Sequence, residues 1–145
     1  MTREQINLVK TSFGKIEPIA EKAAALFYAK LFELDPKLRG LFKGDVYEQG
    51  KKLMQVIAYA VENLEQIEEI IPQVQALGAR HADYGVEDVH YETVGAALMW
   101  TFEKALSREF TPPMREAWAA IYNLLAKTMK EGSRQPNGKE NLLNH

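Results

Sequence analysis

Pro72-Gln73-Val74-Gln75-Ala76-Leu77-Gly78-Ala79-Arg80-His81-Ala82-Asp83-Tyr84-Gly85 has a proline at its head and a glycine at its foot. Between them Val74, Leu77, Gly78 and His81 recur at three- and four-residue steps. Residues at that spacing fall on one face of an α-helix, proline fits a first turn, and glycine is a natural stop. The stretch therefore reads as a helix that carries a histidine on its inner face, close to its end.

The same period continues in both directions. Upstream, Leu53, Val56, Ile57, Ala60 and Leu64 trace a long helix from about Tyr47, with Gln49 one turn before Leu53 on the same side. Asp35-Pro36 is a cap with proline at the first helical position, and it opens a short helix bearing Leu38, Leu41 and Phe42; Gly44-Asp45 then marks a loop. From Pro18 to near Leu34, Ile19, Ala23, Phe27 and Leu31 form one stripe, which Tyr28 and Phe32 widen. Thr2 and Gln5 form a capping-box pattern for a first helix running to about residue 17, with Ile6, Val9, Phe13 and Ile16 inward.

Downstream, Asp88 is a cap for a helix aligning Tyr91, Val94, Leu98, Thr101 and Ala105. Thr111-Pro112-Pro113 begins the last helix, with Met114, Trp118, Ile121 and Leu125 on one face, and it is expected to fray at Gly132. Ser133 to His145 is polar and reads as a disordered tail, so the expected domain is 1–132 with a tail at 133–145. No segment alternates with a two-residue period. The expected fold class is all-α, six main helices plus a short third one.

Composition narrows the chemistry. With 145 residues, 46% hydrophobic and 26% charged, the chain suits one domain with a substantial core. Lysine and arginine total 18 against 20 acids, and no basic cluster offers a surface for nucleic acid. No apolar run approaches the roughly 20 residues that span a bilayer, and the charged amino end does not resemble a signal sequence, so a cytoplasmic location is expected. Without cysteine, metal chemistry rests on histidine, tyrosine or carboxylates, and the three histidines are His81, His90 and His145.

His81 alone cannot hold a bare transition ion. It is either a core histidine satisfied by hydrogen bonds or the ligand of a metal whose cofactor supplies the remaining bonds, as a porphyrin does with four nitrogens. Tyr28 and Gln49 are polar tips on apolar helix faces, and each is either an ordinary core or flank residue or a hydrogen-bond donor into a pocket.

A set of short motifs, in order, resembles the bacterial single-domain globins, the branch related to flavohaemoglobins. Leu26-Phe27-Tyr28-Ala29-Lys30-Leu31-Phe32, Asp35-Pro36 and Leu41-Phe42 are similar to that branch's second and third helices, and Gln49-Gly50-Lys51-Lys52-Leu53 to its distal helix. Arg80-His81, Tyr84-Gly85-Val86 and His90-Tyr91 with Val94-Gly95 are similar to its proximal helix and the corner after it, and Ala117-Trp118 with Tyr122 to its last helix. The match spans about residues 5 to 130.

The resemblance implies a globin fold around a haem pocket holding haem b, iron protoporphyrin IX. It implies His81 as the proximal iron ligand, Phe42 as the aromatic wedged against the haem, and Tyr28, Gln49 and Leu53 as the distal pocket. Val86, Tyr91 and Val94 would contact the haem from the proximal side. Lys52 sits where a cation can reach a haem propionate, with a solvated surface lysine as the alternative. His90 matches a corner position. Tyr91 matches a tyrosine that works with a glutamate on the last helix, yet that glutamate's place falls near Ser133, and Glu131 is the nearest acid.

These roles imply reversible binding of oxygen, and of carbon monoxide and nitric oxide, with high oxygen affinity because Tyr28 and Gln49 donate hydrogen bonds to the ligand. Two further functions are open: a nitric oxide dioxygenase served by a separate reductase, since no glycine-rich dinucleotide fingerprint is present, and a gas-sensing or regulatory globin.

Overall fold

The computed structural model describes residues 1–42 and 44–134, and every regular element among them is helical. The α-helices are α1 (Arg3–Ile16), α2 (Ala20–Leu34), α3 (Val46–Glu62), α4 (Ile71–Asp83), α5 (Asp88–Leu106) and α6 (Pro112–Ser133). Tighter 3-10 turns occupy the joints at Glu17–Ile19, Pro36–Leu41, Leu64–Ile70 and Ser107–Glu109. The stretch from residue 135 to His145, most of the expected tail, lies outside the described residues, as does Lys43.

Side chains named in the sequence reading do set the helix starts. Thr2 and Gln5 close a reciprocal capping box at α1, each bond 3.0 Å long. Asp35 accepts from the Lys37 N–H at 3.1 Å, Asp45 from the Tyr47 N–H at 2.9 Å, and Thr111 from the Met114 N–H at 3.4 Å. Each bond satisfies a backbone donor that the first helical turn leaves without a partner. At α5 the cap is Glu87, one residue ahead of the expected Asp88.

Three stretches depart from the period-based reading. Pro18 lies in the 3-10 turn Glu17–Ile19, so α2 starts at Ala20 and Ile19 is left exposed. α3 ends at Glu62, where the Tyr59 carbonyl accepts from both the backbone N–H and the side-chain amide of Asn63, the latter at 2.8 Å. Leu64–Ile70 then forms a kinked 3-10 segment in which Leu64, Ile67 and Ile70 repeat every three residues, the spacing that eclipses side chains on such a helix. Finally, Gly132 does not fray: it is buried inside α6.

α2 packs on α3 and α5, while α6 packs on α1, α5 and most extensively on α4. The core joins Val9, Phe13, Ile16, Phe27, Leu31, Leu98, Phe102, Trp118 and Ile121 from four helices. Burying side chains of this size contributes about 1.5–3 kcal/mol each. Among the described residues no helix is long and apolar enough to cross a membrane.

Inside this core the Trp118 indole N–H donates to Ser12 Oγ at 2.7 Å, and Ser12 in turn donates to the Leu8 carbonyl at 2.8 Å. Both residues are buried, so no water replaces a lost partner. Ser12→Ala is expected to lower stability to urea by about 1–3 kcal/mol, the cost of an unpaired buried indole N–H. An unchanged unfolding midpoint would remove this bond from the account.

Candidate functional site

His81 lies in the last turn of α4, half-buried, and its Nδ1 is 2.9 Å from the Leu77 carbonyl oxygen. A carbonyl only accepts, so Nδ1 carries the proton and Nε2 keeps its lone pair. Nε2 has no protein partner among the described residues. Burial lowers the imidazole's pKa; the bond to Leu77 opposes this and the Arg80 charge adds to it. The side chain is thus a neutral base with a fixed tautomer and one free ring nitrogen, the form in which histidine ligates metals.

The other end of the candidate site is aromatic. Tyr28 is 6% exposed in α2, with Phe27, Phe32 and Phe42 at ring-centroid distances of 5.0, 6.0 and 5.3 Å. Burial pushes its phenol up to about 12, which keeps it a neutral donor. Its hydroxyl has no protein partner among the described residues. Every fully covered side-chain nitrogen or oxygen there does have one, so this hydroxyl still reaches open space.

α3 is seated tightly on α2 beside this tyrosine. A Cβ at Gly50 would come within 2.9 Å of Ala24 Cβ and 3.7 Å of the Tyr28 ring. That contact places the first turn of α3, with Gln49, next to Tyr28. Gln49 and, one turn later, Leu53 are both half-buried, and Leu53 packs against the core. Lys52 is exposed and forms no ion pair among the described residues.

α3 and α4 follow one another in sequence yet scarcely touch, and the same holds for α4 and α5. Each is anchored elsewhere, α3 on α2 and α1, α4 on α6. Val56, expected inward on the stripe with Leu53, is 41% exposed. Phe42, Leu53, His81, Val86 and Val94 are all only partly covered. After α4 the chain passes Gly85 at φ +98, where a side chain would be strained. There the chain turns against Leu41, the residue before Phe42, with a Cβ position 3.3 Å from its side chain.

The donor set suits a cofactor that brings its own metal donors. Among the described residues no group of three histidine or acidic side chains could hold a bare ion, while His81 offers one nitrogen. His90, which matches a corner position, has its Nδ1 occupied by the Glu87 N–H at 2.9 Å, so it serves as a helix-start acceptor.

A scan against family models matches the globin family over residues 25–129. The chain belongs to the globin family. It is 26% identical over 138 residues to the flavohemoprotein of Vibrio cholerae serotype O1, covering 92% of this chain and 35% of that protein. The chain thus spans about a third of that relative's length. It is 25% identical to the neuroglobin of Dissostichus mawsoni, covering 91% of this chain and 92% of that one. Among solved structures, a bacterial globin from Campylobacter jejuni superposes with a TM-score of 0.81 at 26% identity, covering 92% of this chain and 96% of that one. Globins bind haem and interact with diatomic gases, and the globin fold expected from the sequence motifs is the fold found.

On the side of α5 the arrangement differs from the tyrosine–glutamate pair that the resemblance suggested. Tyr91 is buried, and desolvation, with the Asp88 charge adding, pushes its phenol up to about 12. Its carbonyl accepts from the Tyr122 hydroxyl at 2.6 Å. Neither Glu131, which is exposed, nor Ser133, whose hydroxyl donates to the Lys130 carbonyl at 2.7 Å, bonds to the Tyr91 phenol. Lys130 instead holds its ammonium 5.7 Å from the Tyr91 ring centre. Lys130 went unnoticed in the sequence because it flanks the stripe of α6, where a lysine reads as solvated.

The Tyr28 burial has a measurable consequence at high pH. The unfolded phenol ionises near 10 and the folded one near 12, so between those values the unfolded chain binds fewer protons and stability falls as pH rises. The contribution is whole below pH 10 and is lost as pH passes the folded value. It amounts to about 2–3 kcal/mol at most. Tyr28→Phe should therefore lose less stability than the parent between pH 9 and 11.5, with Tyr91 and Tyr122 keeping their own shares. Equal losses in both proteins would mean that Tyr28 ionises freely in the folded state.

Proposed function

We propose that this chain is a haem protein that reversibly binds a diatomic gas, oxygen first, with His81 as the sole protein ligand to the iron. The observation that carries this reading is a neutral imidazole on α4, its Nδ1 pinned, together with a phenol on α2, with neither Nε2 nor the phenol hydroxyl bonded among the described residues. When bound, iron protoporphyrin IX would supply an iron able to take the His81 nitrogen and a diatomic gas.

Each residue then has a task. His81 offers Nε2, and the Leu77 carbonyl keeps the ring from turning and raises its basicity. Phe42, locked edge-on against Tyr28 and against Phe32 at 5.4 Å, presents an apolar face to the cofactor. Leu53, Val86 and Val94 exclude water from the remaining apolar rim. Tyr28 donates its hydroxyl proton toward a gas carrying partial negative charge, and Gln49, in the adjacent turn of α3, is the second donor. A neutral glutamine amide is a poor metal ligand, so it leaves the gas position open. Lys52, exposed and without an ion pair among the described residues, would meet a cofactor carboxylate at the rim.

Hydrogen bonds of this charge-assisted kind contribute roughly 1.5–3 kcal/mol, equivalent to about ten- to a hundredfold in an equilibrium constant. High oxygen affinity with slow release suits scavenging or chemistry on the gas better than bulk transport. The likeness to a flavohemoprotein favours, as a second reading, nitric oxide dioxygenation with electrons from a separate reductase. The Tyr91 phenol, without a carboxylate partner among the described residues, weighs against a strongly polarised proximal histidine and so toward gas binding.

Stopped-flow displacement gives the test. Tyr28→Phe should speed oxygen dissociation by about tenfold or more while changing carbon monoxide dissociation much less, since the less polar ligand draws less on a donor. Equal effects on the two gases, or none, would take the phenol out of the distal role. Nitric oxide consumption that stays catalytic with an added reductase, at rates far above gas release, would favour the second reading.

A further inference from the structure

α4 has little to hold it in place by the usual means. It is a helix of 13 residues with no side-chain bond at its amino end, and its buried residues are Val74, Gly78 and Ala79. Helices of that length are marginal on their own in water. Yet it makes the most extensive helix contact in the molecule, with α6.

The contact is backbone on backbone. A Cβ at Gly78 would fall 2.6 Å from both Cα and the carbonyl carbon of Met129, and closer still to its oxygen. Reciprocally, a Cβ at Gly132 would fall 2.6 Å from Cα and the carbonyl carbon of Gln75, again closer to the oxygen. Gln75 and Gly78 are three residues apart on α4, Met129 and Gly132 three apart on α6, and the pairing runs antiparallel. Neither clash could be relieved by turning a side chain, because both neighbours are main chain. The carbonyl that holds His81 belongs to Leu77, the residue before Gly78. Lys130, the residue after Met129, lies over Tyr91.

We propose that Gly78 and Gly132 are positioning residues for His81: their crossing clamps α4 to α6 before any cofactor arrives, fixing the height and rotation of the imidazole. Resting on the haem reading above, the clamp makes the proximal side preformed. The iron's imidazole then responds to motion of α6 as well as of its own helix.

Two measurements test the clamp. In hydrogen–deuterium exchange of the haem-free protein, amides of residues 76–83 should be protected like those of the α2 core at residues 27–31. Adding hemin should slow them by less than about tenfold. Loop-like exchange in 76–83 that becomes protected only with hemin would overturn the clamp. In the loaded ferrous protein, Gly78→Ala and Gly132→Ala should shift the iron–histidine stretching band and weaken hemin retention by about ten- to a hundredfold. Gly14→Ala should do neither, since no atom lies within 4 Å of a Cβ at Gly14.

Folded glycine variants with an unmoved band would overturn the positioning role. In a His81→Gly protein given free imidazole, the ligand is no longer tethered to α4, so adding Gly78→Ala should leave the iron–imidazole band in place. A band that moves there as well would show general distortion and refute positioning. Should both alanine variants fail to fold, exchange in the unaltered protein decides the matter. An unaltered protein that takes up no hemin strikes the haem reading, whereas unprotected α4 amides strike the clamp, so the two failures are told apart.

Discussion

The bond from His81 Nδ1 to the Leu77 carbonyl fixes which ring nitrogen is free, and everything proposed for this chain depends on that choice. With the proton held at Nδ1, burial can keep the ring neutral without leaving a buried donor unsatisfied. The ring's orientation follows the α4 backbone, and that backbone follows α6. A short helix with few buried side chains can therefore present a well-defined ligand, because its main chain lies directly against another main chain.

The two groups of candidate site residues are built on different anchors. α2 and α3 hold the aromatic group of Tyr28, Phe32 and Phe42 together with Gln49, and Gly50 lets α3 sit close enough to share that cluster. α4 belongs to α6, and the turn at Gly85 brings the chain back against Leu41. α3 and α4 scarcely touch, and Val56 on α3 is left exposed.

Much of this was legible in the sequence, and the limits have physical causes. Apolar residues at helical spacing located α1 to α6, since each buries one stripe, and Thr2, Asp35 and Thr111 marked helix starts through their side-chain acceptors. His81 stood out because no second ligand accompanies it, and Tyr28 because its hydroxyl sits on an apolar face. Periodicity says nothing, however, about which stripe lacks a protein partner, so Val56 was expected inside. Leu64–Ile70 was missed because residues three apart suit both a helix end and a 3-10 segment. Gly132 read as a stop signal, since glycine usually ends helices, and only its pairing with Gln75 shows why no side chain fits there. Glu131 and Ser133 were weighed for Tyr91 from chain position alone, whereas the helix turn brings Lys130 over the ring.

Titrating hemin into the unaltered protein and into His81→Ala, followed by the absorption spectrum in the ferric, ferrous and carbon monoxide forms, bears most directly on the central claim. One equivalent of hemin should give the unaltered protein a spectrum with a single protein nitrogen ligand, and the alanine variant should bind weakly without that signature. A protein that stays colourless with hemin present, or a variant whose spectrum and retention match the parent, would contradict it.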